Sequence, residues 1–123
     1  MGYRSEVGLA LTKAGVDVLN KKLAGPEVSE ETRKEVESLL AYAAYHYTDP
    51  ESGAEAWLWD WIKWYPDYQD IALLGALMNE LEDEDYRFIR IGEEYDDTEV
   101  RGGFWENPFG LELNRSIALG KVG

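Results

Sequence analysis

One histidine, His46, and no cysteine stand among 123 residues, so nucleophilic and acid–base chemistry has few places to start. Without thiols there is no thiolate nucleophile, no disulfide framework and no Cys-type zinc site. His46 lies between Tyr45 and Tyr47, where an imidazole reads as part of an aromatic strand rather than as a general base. No serine occupies a G-x-S-x-G elbow and no G-x-x-x-x-G-K-[ST] loop occurs, so Gly102-Gly103 is not a phosphate cradle. Carboxylates are so numerous that any pair chosen as a glycosidase-like dyad would be arbitrary. The segment Glu93-Glu94-Tyr95-Asp96-Asp97-Thr98-Glu99 offers oxygen ligands of the kind calcium takes, but it lacks the EF-hand spacing and central glycine. No catalytic residue, metal site or cofactor is expected.

The acids are the clearest feature. Lys and Arg number 12 against 25 Asp and Glu, a formal net charge of −13. Residues 80–99 hold ten acids against Arg87 and Arg90, which places −8 of that charge in one stretch. Such a chain is not built to neutralise phosphates, so direct nucleic-acid binding is excluded. The same acids could enter a basic groove made for phosphates, with charge attraction guiding the approach. The candidate partner-binding residues are Glu82, Asp83, Glu84, Asp85, Glu93, Glu94, Asp96, Asp97 and Glu99. They fall at the two ends of one expected strand, as two patches or one. Keeping the chain soluble is their simplest role.

Arginines supply a second chemistry. Arg4, Arg87, Arg90 and Arg115 all fall within expected strands, with Arg87 and Arg90 on opposite faces of theirs. Ion pairing with nearby carboxylates is the plain reading. As an alternative, Arg4, Arg90 and Arg115 beside Trp64 would clamp and stack a small molecule or nucleotide signal.

Residues 3–11 alternate with period two and predict a half-buried strand. Thr12 then caps a helix carrying Val16, Leu19 and Leu23, which Gly25-Pro26 ends. Ser29 caps a second helix, with Glu30 and Glu31 in its first turn and Val36, Leu39, Leu40 and Ala43 on its apolar face. Residues 45–47 and 54–65 read as a hairpin across the turn Asp49-Pro50-Glu51-Ser52-Gly53. A helix with Trp57, Trp61 and Trp64 inward competes for the second segment. Pro66 opens a helix through residue 82, a strand covers 85–92, residues 93–103 form an acidic loop, and the last strand spans 111–119. The order is β-α-α-β-β-α-β-β, an α+β fold with a mixed or antiparallel sheet and three helices, related to the ferredoxin-like split βαβ arrangement. Leu9, Leu39, Leu74, Ile89 and Leu113 are expected to share its core.

The length suits one domain over residues 1–123, with 45% hydrophobic and 30% charged residues marking it as globular. No apolar run approaches a membrane span, and the first residues lack the apolar core of a secretory leader. The expected compartment is the cytoplasm.

Landmarks spread along the chain resemble a group of small acidic accessory proteins of tailed bacteriophages. They are Tyr3-Arg4-Ser5-x-Val7, Lys63-Trp64-Tyr65, Phe88-Ile89-Arg90-Ile91-Gly92-Glu93 followed by Asp96-Asp97-x-Glu99, and Asn114-Arg115-Ser116-Ile117. The group has no established activity, so the resemblance carries no functional residues across. It implies a phage protein at work in the host bacterial cytoplasm. The expected function is a non-enzymatic inhibitor of a host defence or nucleic-acid-binding protein, docked through its acids on a basic surface. Small-molecule binding is the alternative, and self-association as a homodimer is left open.

Overall fold

The N-terminal alternation produces β1 (Ser5–Leu11), which becomes the middle of a sheet. Our computed structural model describes residues 2–94, 96–104 and 107–111. After β1 come α1 (Lys13–Ala24), α2 (Glu30–Ala41), the hairpin β2 (Tyr45–Thr48) and β3 (Glu55–Ile62), then α3 (Gln69–Glu80). A single 3-10 turn at Asp83–Asp85 leads into β4 (Tyr86–Ile91), and β5 (Thr98–Arg101) is the last strand among the described residues. The spatial order is β2-β3-β1-β4-β5, and every neighbouring pair is antiparallel. Hence β1 and β2 run parallel on either side of β3, while β3 and β4 run parallel on either side of β1. These are two interlocked split βαβ units with one extra helix in the first crossover.

Local chemistry explains the helix ends. Thr12 Oγ1 accepts the Gly15 N–H at 3.1 Å, and Ser29 Oγ accepts the Thr32 N–H at 3.0 Å, each supplying one orphan donor of a first turn. Lys21 and Lys22 close α1, where the macrodipole favours cations. Pro66 opens a turn rather than a helix: the Tyr68 N–H donates to the Tyr65 carbonyl, and α3 begins at Gln69.

All three helices cover one face of the sheet. Val7, Leu9 and Leu11 of β1, Trp57 and Trp59 of β3, and Tyr86 and Phe88 of β4 meet Val16, Leu19, Val36, Leu39, Leu74 and Leu77 from the helices. The Trp-rich segment is a strand. Trp59 is fully buried and donates its indole N–H to the Leu39 carbonyl at 2.9 Å, so no polar atom of the ring is stranded. Between the pairs Val7–Trp59 and Ser5–Ile62, β3 holds one residue more than β1, and this bulge breaks the alternation. Trp61, which alternation would have set beside Trp57 and Trp59, is 54% exposed.

Three expectations change. Among the described residues, the last element of the sheet is Thr98–Arg101, inside the stretch read as an acidic loop. The expected strand over 111–119 lies outside the described residues, apart from Leu111. Next, β1 is not half-buried, because Gly8 and Ala10 on its second face are buried as well. There, the segment Asn107 to Leu111 lies over the sheet: a Cβ at Gly8 would approach Leu111 Cδ1 to 2.8 Å, and Phe109 stacks on Tyr47. Glycine and alanine carry no polar signal, so a sequence cannot tell whether their face meets water or chain. Lastly, Leu9, Leu39 and Leu74 do share one core, but Ile89 is buried on the opposite face and Leu113 is outside the described residues.

Leu74 is fully buried at the centre of the helical layer. Leu74→Ala should therefore lower unfolding free energy by about 2–5 kcal/mol in urea titration, whereas Ala72→Ser on the exposed side of α3 should change it little.

Candidate functional site

Arg90 is the hub of the polar groups near the β4–β5 edge. It stands on the helical face of β4, opposite Val7 on one side and Glu99 on the other. Its Nη2 and Nη1 donate to the two Asp97 carboxylate oxygens at 2.7 and 3.2 Å, a bidentate fork. Nε donates to Glu99 Oε1 at 3.2 Å, and Nη1 also reaches Ser5 Oγ at 3.0 Å. Arg87, three residues earlier, lies on the other face opposite Ala10 and donates to the Gly102 carbonyl.

The N-terminal residues fasten onto the same network. The Tyr3 hydroxyl donates to Asp97 Oδ2 at 2.6 Å and accepts the Glu94 N–H at 3.1 Å. The Tyr3 N–H donates to the Tyr65 hydroxyl, and the Arg4 N–H donates to Glu93 Oε2 at 2.7 Å. Arg90 and then Tyr3 hold the Asp97 carboxyl at about 2, well below the usual carboxylate range. The pairing raises Arg90 in turn, and the hydrogen bond to Asp97 raises the Tyr3 phenol. Gly92 makes room for this junction, since a Cβ there would collide with Asp97 Oδ2 and the Tyr3 hydroxyl.

The acids expected to bind a partner thus divide by role. Glu82, Asp83 and Glu84 are exposed before β4, and Glu93, Glu94 and Asp96 are exposed after it. A six-residue strand separates the two groups by roughly 20 Å, so they form two patches. Asp97 and Glu99 are ion-pair partners of Arg90 rather than free surface charge. Asp85 accepts the Thr12 hydroxyl at 2.9 Å and joins the start of α1 to the start of β4.

Of the residues expected to bind a small molecule, Arg90 and Trp64 line one cleft of about 630 Å³ between α3 and the β4–β5 edge. Arg4 contributes its backbone N–H to the loop after β4, and Arg115 lies outside the described residues. Tyr3, Gly75, Asn79 and Arg101 also line the cleft and were missed. The alternation Thr98-Glu99-Val100-Arg101 was the available signal for Arg101, hidden by reading the stretch as a loop.

A second concavity was also missed. Glu30, Glu31, Glu35 and Asp70 surround a wide depression of about 800 Å³ between α2 and the start of α3, with Tyr42 at its edge and Leu39 at its base. The single lysine there, Lys34, is paired with Glu30 at 3.5 Å. Tyr42 is 71% exposed, and Tyr45 and Tyr47 of β2 stack in parallel with ring centroids 6.3 Å apart. His46 sits on the edge strand, its Nε2 within 2.8 Å of Glu55 Oε1 and its ring stacked on Trp57.

Among the described residues, no group of three or more His, Asp or Glu side chains could hold a metal ion, and no helix is long and apolar enough to cross a membrane. No family model, curated protein or solved structure matches the chain.

Because Asp97 titrates lower in the folded chain than its unfolded value near 4, its contribution to stability is present above that value and fades as pH falls toward 2. Asp97→Asn should therefore destabilise the protein at pH 7, and the gap to the wild type should shrink through that acid window in chemical denaturation. Arg90→Lys should not restore the wild-type stability, since an ammonium cannot reproduce the fork, and a loss of about 1.5–3 kcal/mol is expected.

Proposed function

We propose that this protein is a non-enzymatic binding protein that captures a basic surface on a partner protein, with the depression between α2 and α3 at the centre of the contact. The observation that carries this reading is the composition of that concavity. Four carboxylates and one already paired lysine line it, together with Leu39 and an exposed tyrosine, Tyr42. A lysine or arginine from a partner would find compensating charge there and an aromatic face to lie against. Tyrosine is also a residue type that anchors interfaces, because it adds contact area with little rotamer freedom to lose. The exposed acids at the two ends of β4 would steer approach over a longer range.

The resemblance to small acidic phage proteins favours a host protein as the partner, and binding would inhibit it by covering the surface it uses for nucleic acid or another acidic ligand. A second reading, small-molecule binding, is supported by Arg90 and Trp64 lining one cleft. In that reading Arg90 acts as a fixed wall and not as a phosphate clamp, since its guanidinium is already engaged by Asp97, Glu99 and Ser5.

The protein reading is tested by capturing the partner from bacterial lysate, purifying it and measuring association kinetics against salt. Glu31→Gln with Glu35→Gln should slow association by about tenfold at low salt and flatten the salt dependence. Tyr42→Ala should speed dissociation by about tenfold, the effect of an anchor worth more than ~1 kcal/mol. The reading fails if all three variants bind the captured protein with unchanged rates.

A further inference from the structure

We propose that the cleft between α3 and the β4–β5 hairpin is a site for an uncharged nucleobase or a similar planar nitrogen heterocycle, read by Glu99 and Arg101 at its rim. This rests on the small-molecule reading above and adds the chemistry of the ligand. The cleft, about 630 Å³, is of a size that encloses small organic molecules, and Pro66, Ala72 and Ala76 give it apolar walls over the buried Trp64 and Ile71.

Gly75 borders the cleft on the α3 side. It lies in the middle of α3, where glycine weakens a helix relative to alanine. No neighbour demands a glycine there, for a Cβ would meet nothing within 4 Å. The space above it belongs to the cleft.

Charge and hydrogen bonding then narrow the occupant. Arg90 and Arg101 line the site together with Asp97 and Glu99, so the formal charges cancel. Arg90 already directs donors from Nε, Nη1 and Nη2 to protein acceptors, which leaves Arg101 as the guanidinium a ligand would meet. The chain's net charge of −13 opposes an anion further. What the rim does present is a donor and an acceptor two residues apart on one strand face. Arg101 is steadied by Asn79, whose Oδ1 accepts its Nη2 at 2.7 Å. Glu99 uses only Oε1 for Arg90, and its side chain is 43% exposed. Nucleobase edges carry N–H donors beside ring-nitrogen or carbonyl acceptors. Guanine matches this pair best: its O6 and N7 accept from a guanidinium, and its N1 and N2 donate to a carboxylate.

The test is a titration of the isotope-labelled protein with guanosine, guanosine monophosphate and indole, followed by amide chemical shifts. Guanosine should give saturable shifts at Gly75, Asn79 and Arg101, and the monophosphate should bind no more tightly. Gly75→Phe, whose ring enters the cleft, should abolish saturation, while Gly75→Ala should keep it and melt no lower than the wild type. Arg101→Met should weaken guanosine by about tenfold, which keeps the test decisive if the phenylalanine variant does not fold. Tighter binding of the monophosphate, or indole binding as well as guanosine, would overturn the heterocycle assignment and leave the cleft a small-molecule site. No saturable shift with any probe, or saturation unchanged in folded Gly75→Phe, would overturn both.

Discussion

The guanidinium of Arg90 is the constraint on which the β4–β5 side of the molecule depends. It is a charge on the core-facing side of a strand, and such a charge persists only when paired and hydrogen-bonded. Asp97 and Glu99 supply the pairing and Ser5 a further acceptor, so one side chain ties β4 to β5 and to the start of the central strand. Tyr3 extends the network to the N-terminus, and Gly92 allows the turn to close on it. The fifth strand exists where the arginine's counter-charges have to be delivered.

The central strand of the sheet behind this network is buried on both faces. Helices cover one side, with the Trp64 ring tilted against both Trp59 and Phe88 beneath them, and the segment Asn107 to Leu111 reaches over the other. Small residues make the second covering possible, because Gly8, Ala10 and Ala56 let a chain approach closely. What remains for recognition is at the margins: the acidic depression against α2, the edge strand β2 with its stacked tyrosines, and the cleft beside β5.

Charge is distributed unevenly between structure and surface. The acids that looked like one run in the sequence separate into a patch before β4, a patch after it and two ion-pair partners of Arg90. A strand of six residues is enough to drive the exposed groups apart. A concavity with an excess of carboxylate instead comes from α2 and the first turn of α3, whose acids also suit a helix N-terminus. An acid there satisfies the macrodipole and lines the depression at once.

The sequence by itself determined the element order through β4, both side-chain caps at Thr12 and Ser29, and the helical apolar faces through Leu19, Leu39 and Leu74. These rest on local rules, a period of 3.6 or 2 and a hydroxyl one turn from its acceptor. It also showed that Arg87 and Arg90 point to opposite faces, which follows from strand alternation alone. Only the tertiary structure decided that Asp97 and Glu99 belong to Arg90, that a bulge turns Trp61 outward, and that Gly75 borders an open cleft. Each of these depends on which strand lies beside which, and in what register. That depends on contacts between residues far apart in the chain, such as Tyr3 with Asp97 and Ser5 with Arg90, which no local pattern encodes.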